Sequence, residues 1–161
     1  MADGYLALVL HAHLPFVRHP EHEHFLEEEW LYEAISDTYI PLLDIFERLQ
    51  RDSVPFRLTI SISPTLAEML EDPLLQSRYV RHVERLIELS RAEMDRNVGV
   101  PAIFNLAEMY HERYCRCLET FTGRYQKRLL QGFVNFQSQG YLELITSGAT
   151  HGFLPLLQVV P

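Results

Sequence analysis

The sequence predicts an α/β fold built on a parallel sheet, and three observations carry that expectation. Residues 5–10, Tyr-Leu-Ala-Leu-Val-Leu, form an apolar run without helical gaps, the pattern of a strand covered on both faces. Phe56, Leu58, Ile60 and Ile62 alternate with Arg57, Thr59 and Ser61, which is the period of a strand. A third strand, residues 141–146, follows a long series of helical patterns. Strands alternating with helices build parallel sheets with right-handed crossovers, and the helices are expected to cover one side.

Each element has a local cause. Pro15 stops the first strand, and residues 16–28, with Arg18, His19, Glu21, His22, Glu23 and His24, read as a solvated acidic loop without periodicity. Residues 29–35 give a short helical turn. Asp37 or Thr38 then caps a second helix, with Pro41 in its first turn and Leu42, Leu43, Ile45, Phe46 and Leu49 as its apolar stripe. After the second strand, Ser63-Pro64 and Asp72-Pro73 each pair a capping residue with a proline at the first helical position. The second of these helices runs to about Arg96. Another begins after Pro101, is interrupted near Gly123, resumes at Tyr125 and ends at Gly140, a residue suited to the left-handed position after a helix. The connection from the second strand to the third is therefore long and helical, an insertion over one face of the sheet.

Composition narrows the function. The chain has 161 residues, 47% hydrophobic and 22% charged, as a globular protein has. A formal net charge of -8 with no Lys/Arg-rich run argues against nucleic acid or an anionic membrane as partner. The start, Met1-Ala2-Asp3-Gly4, lacks a basic segment, and the apolar run behind it is too short for a signal peptide or a membrane span. A cytoplasmic location is expected. The two cysteines, Cys115 and Cys117, do not share a helical face and are read as reduced, partly buried thiols.

The chemistry begins where the strands end. His11 and His13 are two apart and project together from the carboxyl end of the first strand, where α/β folds put their sites. The third strand likewise feeds a segment carrying His151. Two imidazoles at a strand end serve either as divalent-metal ligands, in a metal-dependent hydrolase, or as hydrogen-bonding groups for a polar ligand. The irregular spacing of His19, His22 and His24 argues against a metal site in the loop. Trp30, the single tryptophan, is either an ordinary partly buried aromatic or a stacking platform for a ligand ring. No glycine-rich phosphate loop, G-x-S-x-G elbow or H-E-x-x-H helix occurs.

Three blocks, in this order, carry a resemblance: His11-Ala12-His13-Leu14-Pro15; the run from Glu28-Glu29-Trp30 through Pro41-Leu42-Leu43; and Ile145-Thr146-Ser147-Gly148-Ala149-Thr150-His151-Gly152-Phe153-Leu154-Pro155-Leu156-Leu157. They resemble the N-terminal motifs of glycoside hydrolase family 57, most closely those of its 1,4-α-glucan branching enzymes. The resemblance implies that residues 1–161 are the N-terminal part of a (β/α)7 TIM-like catalytic barrel acting on α-1,4-glucans of the glycogen or amylose type. It also implies retention at the anomeric carbon, no cofactor and no essential metal. By the same resemblance His11, His13, Trp30 and His151 are substrate-binding residues, with His11 in the donor subsite nearest the cleaved bond.

A retaining glycosidase needs two carboxyl groups about 5 to 5.5 Å apart. The family's nucleophilic glutamate and acid/base aspartate lie on strands beyond the third, so no catalytic residue is expected in this chain. Glu143, in mid-strand, reads as a structural partner. The tail Gln158-Val159-Val160-Pro161 departs from the family's charged continuation and suggests a truncated chain, inactive alone and prone to self-association through an exposed sheet edge. The alternative from another class is a non-catalytic glucan- or partner-binding module.

Overall fold

The computed structural model describes residues 4–157; the readings of residues 1–3 and 158–161 lie outside them. In chain order it contains β1 (Val9–Ala12), α1 (Leu26–Ala34), a π-helical turn (Ile35–Tyr39), α2 (Ile40–Arg51), β2 (Leu58–Ile62), α3 (Pro64–Glu71) and α4 (Pro73–Arg96). Then come α5 (Pro101–Glu119), a second π-turn (Thr120–Arg124), α6 (Leu129–Ser138), β3 (Leu142–Ile145) and α7 (Leu154–Leu157).

The sheet has the order β1-β2-β3 with both pairs parallel, as the alternating element order requires. Val9 pairs with Thr59 and Thr59 with Glu143; His11 pairs with Ser61 and Ser61 with Ile145. This register sorts side chains by face. Leu10, Ala12, Leu58, Ile60, Ile62, Leu142 and Leu144 join one apolar cluster with Leu43 and Phe46 of α2, Leu66 of α3, and Phe133 and Phe136 of α6. The opposite face carries Val9, His11, Thr59, Ser61, Glu143 and Ile145, and Val9 and Ile145 are 59% and 43% exposed.

The first strand therefore differs from expectation in two ways. It starts at Val9 rather than at residue 5, because the ladder with β2 begins there and Thr59 N–H to the Leu8 carbonyl is the contact just upstream. Nor is it covered on both faces: Tyr5 and Leu6 are 98% and 94% exposed, since the helices lie on one side only.

The two expected helices after the loop are one. A π-turn joins α1 to α2, with Ile40 N–H bonded to the Ile35 carbonyl. Pro41 explains the widening, because its ring collides with the carbonyl four residues back in a regular α-helix. Asp37 is consequently not a cap but an ion-pair partner of Arg113 on α5, at 2.6 Å. Ser63 and Asp72 do cap α3 and α4. The break near Gly123 is the second π-turn, followed by left-handed Gln126 and Lys127, and Gly140 takes a φ of 79° after α6. Gly132 lets α6 approach α2: a Cβ there would stand 3.1 Å from the Leu43 methyls and 2.7 Å from Tyr125.

Residues 16–25 are a loop, as expected, and residues 20–24 are exposed, but the loop ends at Leu26, where α1 begins, and it is anchored at both flanks. Glu28 is 1% exposed and accepts from Arg78 Nη1 at 2.5 Å, Tyr32 OH at 2.8 Å and the His19 amide at 3.1 Å. Arg78 also donates to the His19 and His22 carbonyls, so one buried guanidinium of α4 ties His19, His22 and Glu28 together. Val17 is buried, with its N–H on Met69 sulfur at 3.2 Å. Arg18 pairs with Asp72 at 2.6 Å. Burial opposes the charge on Asp72, but the Leu75 and Leu74 amides and the Arg18 guanidinium outweigh it and hold the carboxyl below its usual range. Cys117 is buried and Cys115 exposed. Among the described residues no helix is long and apolar enough to cross a membrane.

Removing one member of a buried ion pair strands the other charge, at a cost of about 3 to 5 kcal/mol. Glu28→Ala should lower the urea-unfolding free energy by about that amount. Glu27→Ala, at a half-exposed carboxylate, should stay within about 0.5 kcal/mol of the parent. Equal effects of the two substitutions would contradict the anchoring role of Glu28.

Candidate functional site

Parallel strands deliver their carboxyl ends to one side, and the histidines use that fact. Ala12 packs toward the helices, so His11 and His13, on either side of it, share the open face. The ladder continues one step past β2, where Ser63 N–H bonds the Ala12 carbonyl at 3.0 Å. Ser63 thereby stands beside His13, its hydroxyl 2.8 Å from Nδ1. Directly after β3, Thr146 donates its hydroxyl to the Ile62 carbonyl at 3.1 Å, and the chain then turns so that His151 N–H reaches the Gly148 carbonyl at 2.8 Å. His151 holds a φ of 58°, uncommon for a residue with a side chain and costing of order 1 to 3 kcal/mol. That backbone turns its ring onto the other two.

The three rings form one cluster. Centroids are 4.5 Å apart for His11 and His151, 4.4 Å for His13 and His151, and 6.0 Å for His11 and His13. His11 Nε2 lies 3.2 Å from His151 Nε2, so in the neutral pair one imidazole donates and the other accepts. None of the three hydrogen-bonds a carboxylate among the described residues. Burial, and next the neighbouring His151 and His11 rings, hold His13 below the ordinary imidazole value. A cleft of about 520 Å³ between the sheet and the helices is lined by His11 and His13 together with Leu10, Ile60, Ile62 and Tyr39 among others, and His151 does not line it. A larger cavity of about 780 Å³ between α2 and α5, lined by Arg48, Arg113, Arg116 and Arg124, has none of these histidines.

Of the sequence-predicted site residues, His11, His13 and His151 come together. Trp30 does not join them: it sits on α1, 46% exposed, with no ring contact to the histidines among the described residues. Glu143 accepts from Thr59 Oγ1 at 2.8 Å, lower on the open face, in register with Val9 rather than with His11. In the loop the His19 ring lies tilted against Phe25 with centroids 3.7 Å apart, and its nitrogens are 3.3 Å from Glu21 and from Glu27. Among the described residues no group of three or more His, Cys, Asp or Glu is arranged to hold a metal ion. Sequence reading saw Ser63 only as a helix cap. Its other role was legible in its position, directly after the second strand as His13 is after the first.

The sequence profile of glycosyl hydrolase family 57 matches residues 7–159. The chain is 41% identical over 154 residues to the 1,4-α-glucan branching enzyme of Thermococcus kodakarensis, a match covering 96% of this chain and 22% of that protein. Among solved structures, the α-amylase AmyC of Thermotoga maritima superposes with a TM-score of 0.88 at 48% identity, over 94% of this chain and 29% of that one. The GH57-type branching enzyme of Pyrococcus horikoshii gives 0.88 at 34% identity, over 96% and 29% respectively. The chain thus spans less than a third of the length of each relative.

The depressed pKa of His13 has a stability consequence. As pH falls below 6.5 the unfolded imidazole takes up a proton that folded His13 still refuses, so its contribution is complete above 6.5 and is lost toward the folded pKa. His82, lowered chiefly by burial, acts in the same direction. The urea midpoint should fall between pH 7.5 and pH 5, and fall less in His13→Gln; an identical drop in that variant would remove His13 from the account.

Proposed function

The chain belongs to glycosyl hydrolase family 57, and from that premise we propose that it is the N-terminal part of an α-glucan-acting catalytic barrel of the 1,4-α-glucan branching enzyme type. In this reading β1, β2 and β3 are the first strands of a (β/α)7 barrel, their open face is turned to its interior, and α3 to α6 form a helical insertion. The observation that carries the reading is the cluster of His11, His13 and His151 at the carboxyl ends of parallel strands, in a chain similar to a branching enzyme over nearly its whole length.

Three imidazole rings with centroids 4.4 to 6.0 Å apart suit a ring of hydroxyls, each of which both donates and accepts. His11 and His151 exchange one hydrogen bond across 3.2 Å, and a sugar hydroxyl inserted there satisfies both nitrogens in its place. Trp30, half-exposed on α1, supplies an aromatic face further along the glucan. The retaining step requires a carboxylate nucleophile and a carboxyl acid/base, and neither is assigned to this chain. Glu143 is committed to Thr59, and histidines bonded to hydroxyls replace neither carboxyl group. The substrate is a glycogen- or amylose-type glucan, the setting cytoplasmic, and no cofactor is invoked. Apolar Val9, Ile145, Phe153 and Leu156 on the exposed surface favour self-association of the chain alone.

The purified chain is expected to bind maltoheptaose, with His11→Ala weakening binding about tenfold and His19→Ala leaving it unchanged. It should produce neither a fall in amylose–iodine colour nor new reducing ends. Turnover that disappears in Glu143→Gln would show that a catalytic carboxylate does lie within these residues. Binding insensitive to His11→Ala would overturn the site assignment.

A further inference from the structure

Ser63 is fully buried, and its hydroxyl meets three polar neighbours: His13 Nδ1 at 2.8 Å, Thr65 Oγ1 at 3.1 Å and the Leu66 amide at 3.4 Å. Thr65 Oγ1 in turn lies 3.2 Å from the Leu14 carbonyl oxygen. A hydroxyl has one proton and two lone pairs, and a carbonyl has no proton, which fixes the direction of every bond in this chain. The Leu14 contact is a hydrogen bond only if Thr65 donates. Thr65 oxygen must then accept from Ser63, which uses the single Ser63 proton. The Ser63 lone pairs remain for two donors, the Leu66 N–H and an N–H on His13 Nδ1. Neutral His13 therefore carries its ring proton on Nδ1 and a bare lone pair on Nε2, across the ring from Ser63. No described residue hydrogen-bonds that Nε2.

We propose that Ser63 and Thr65 are positioning residues that hold His13 in the Nδ1–H tautomer, so that the site offers His13 Nε2 to a ligand as an acceptor only and selects a sugar that turns a hydroxyl hydrogen toward it. The ligand half of this inference rests on the glucan reading above; the tautomer half does not. The low pKa of His13 works in the same sense, because the neutral ring persists to lower pH. An acceptor-only group at that position of the sugar, an O-methyl ether in place of a hydroxyl, leaves two lone pairs facing each other and is rejected.

The test is a long-range ¹H–¹⁵N correlation of ring nitrogens in the full chain labelled at histidine, recorded at pH 7.5. Wild type should show His13 with a protonated Nδ1 and an unprotonated Nε2. Thr65→Val frees the Ser63 proton to be donated to Nδ1, so the Nε2–H form should appear. Ser63→Ala should also lose the preference, and Ser63→Thr should restore it. A purely structural role of these residues would lower the unfolding midpoint and leave the tautomer alone. Because Ser63→Ala also removes the α3 cap, Thr65→Val decides the matter if Ser63→Ala does not fold. An Nε2–H form in wild type, or an unchanged tautomer in Thr65→Val, overturns the proposal. Maltoheptaose is then added to wild type. A shift of His13 Nε2 supports the acceptor role, whereas the expected tautomer with an unmoved Nε2 overturns that role and leaves the tautomer control standing.

Discussion

The parallel, in-register pairing of β1, β2 and β3 is the constraint on which the rest of the molecule depends. Because Val9, Thr59 and Glu143 are level, and His11, Ser61 and Ile145 are level, each further step along the strands reaches the same end of the sheet together. His13 and Ser63 occupy the next step, and His151 folds back over them. A slip of one residue in β1 would send His11 and His13 to the helix-covered face and bring Leu10 and Ala12 out of the core. Core burial and site geometry are thus enforced by the same register.

The exit of β1 is held with equal care. Leu14 accepts from Thr65, Val17 packs against Met69, Arg18 meets Asp72, and His19 and His22 give their carbonyls to Arg78. These contacts run from α3 into α4, so the segment that follows the histidines is laid along the helices that follow β2. Burying Glu28 and Arg78 is costly on its own. Here it fixes the path of a segment with no regular structure, and through it the direction in which His13 leaves the sheet. Asp72 serves twice, as cap of α4 and as partner of Arg18, which links the start of one helix to the position of the segment.

Much of this was legible in the sequence. Period-two alternation located β2, the Ser-Pro and Asp-Pro pairs located α3 and α4, and the strand-end positions of His11, His13 and His151 anticipated that their rings lie together. What was missed has a common physical form, contacts between residues distant in sequence. Nothing near Glu28 announces Arg78, so the exposed stretch 20–24 was legible as a loop while the anchoring of its flanks was not. Residues 5–8 look like a buried strand because apolarity records what a surface is suited to meet, not what lies against it in these 161 residues. The π-turn at Ile35–Tyr39 was hidden because Pro41 fits the start of a new helix as well as a widened turn within one. Ser63 was half-read, its cap visible locally and its bond to His13 set only by the register.

The most direct test of the central claim, that strand register assembles His11, His13 and His151 into one sugar-binding cluster, is the imidazole NMR spectrum of the chain titrated with maltoheptaose. The account predicts that resonances of these three rings move together along one binding isotherm, while those of His19, His22 and His24 stay still. Movement of one ring without the others, or of the loop histidines instead, would contradict it.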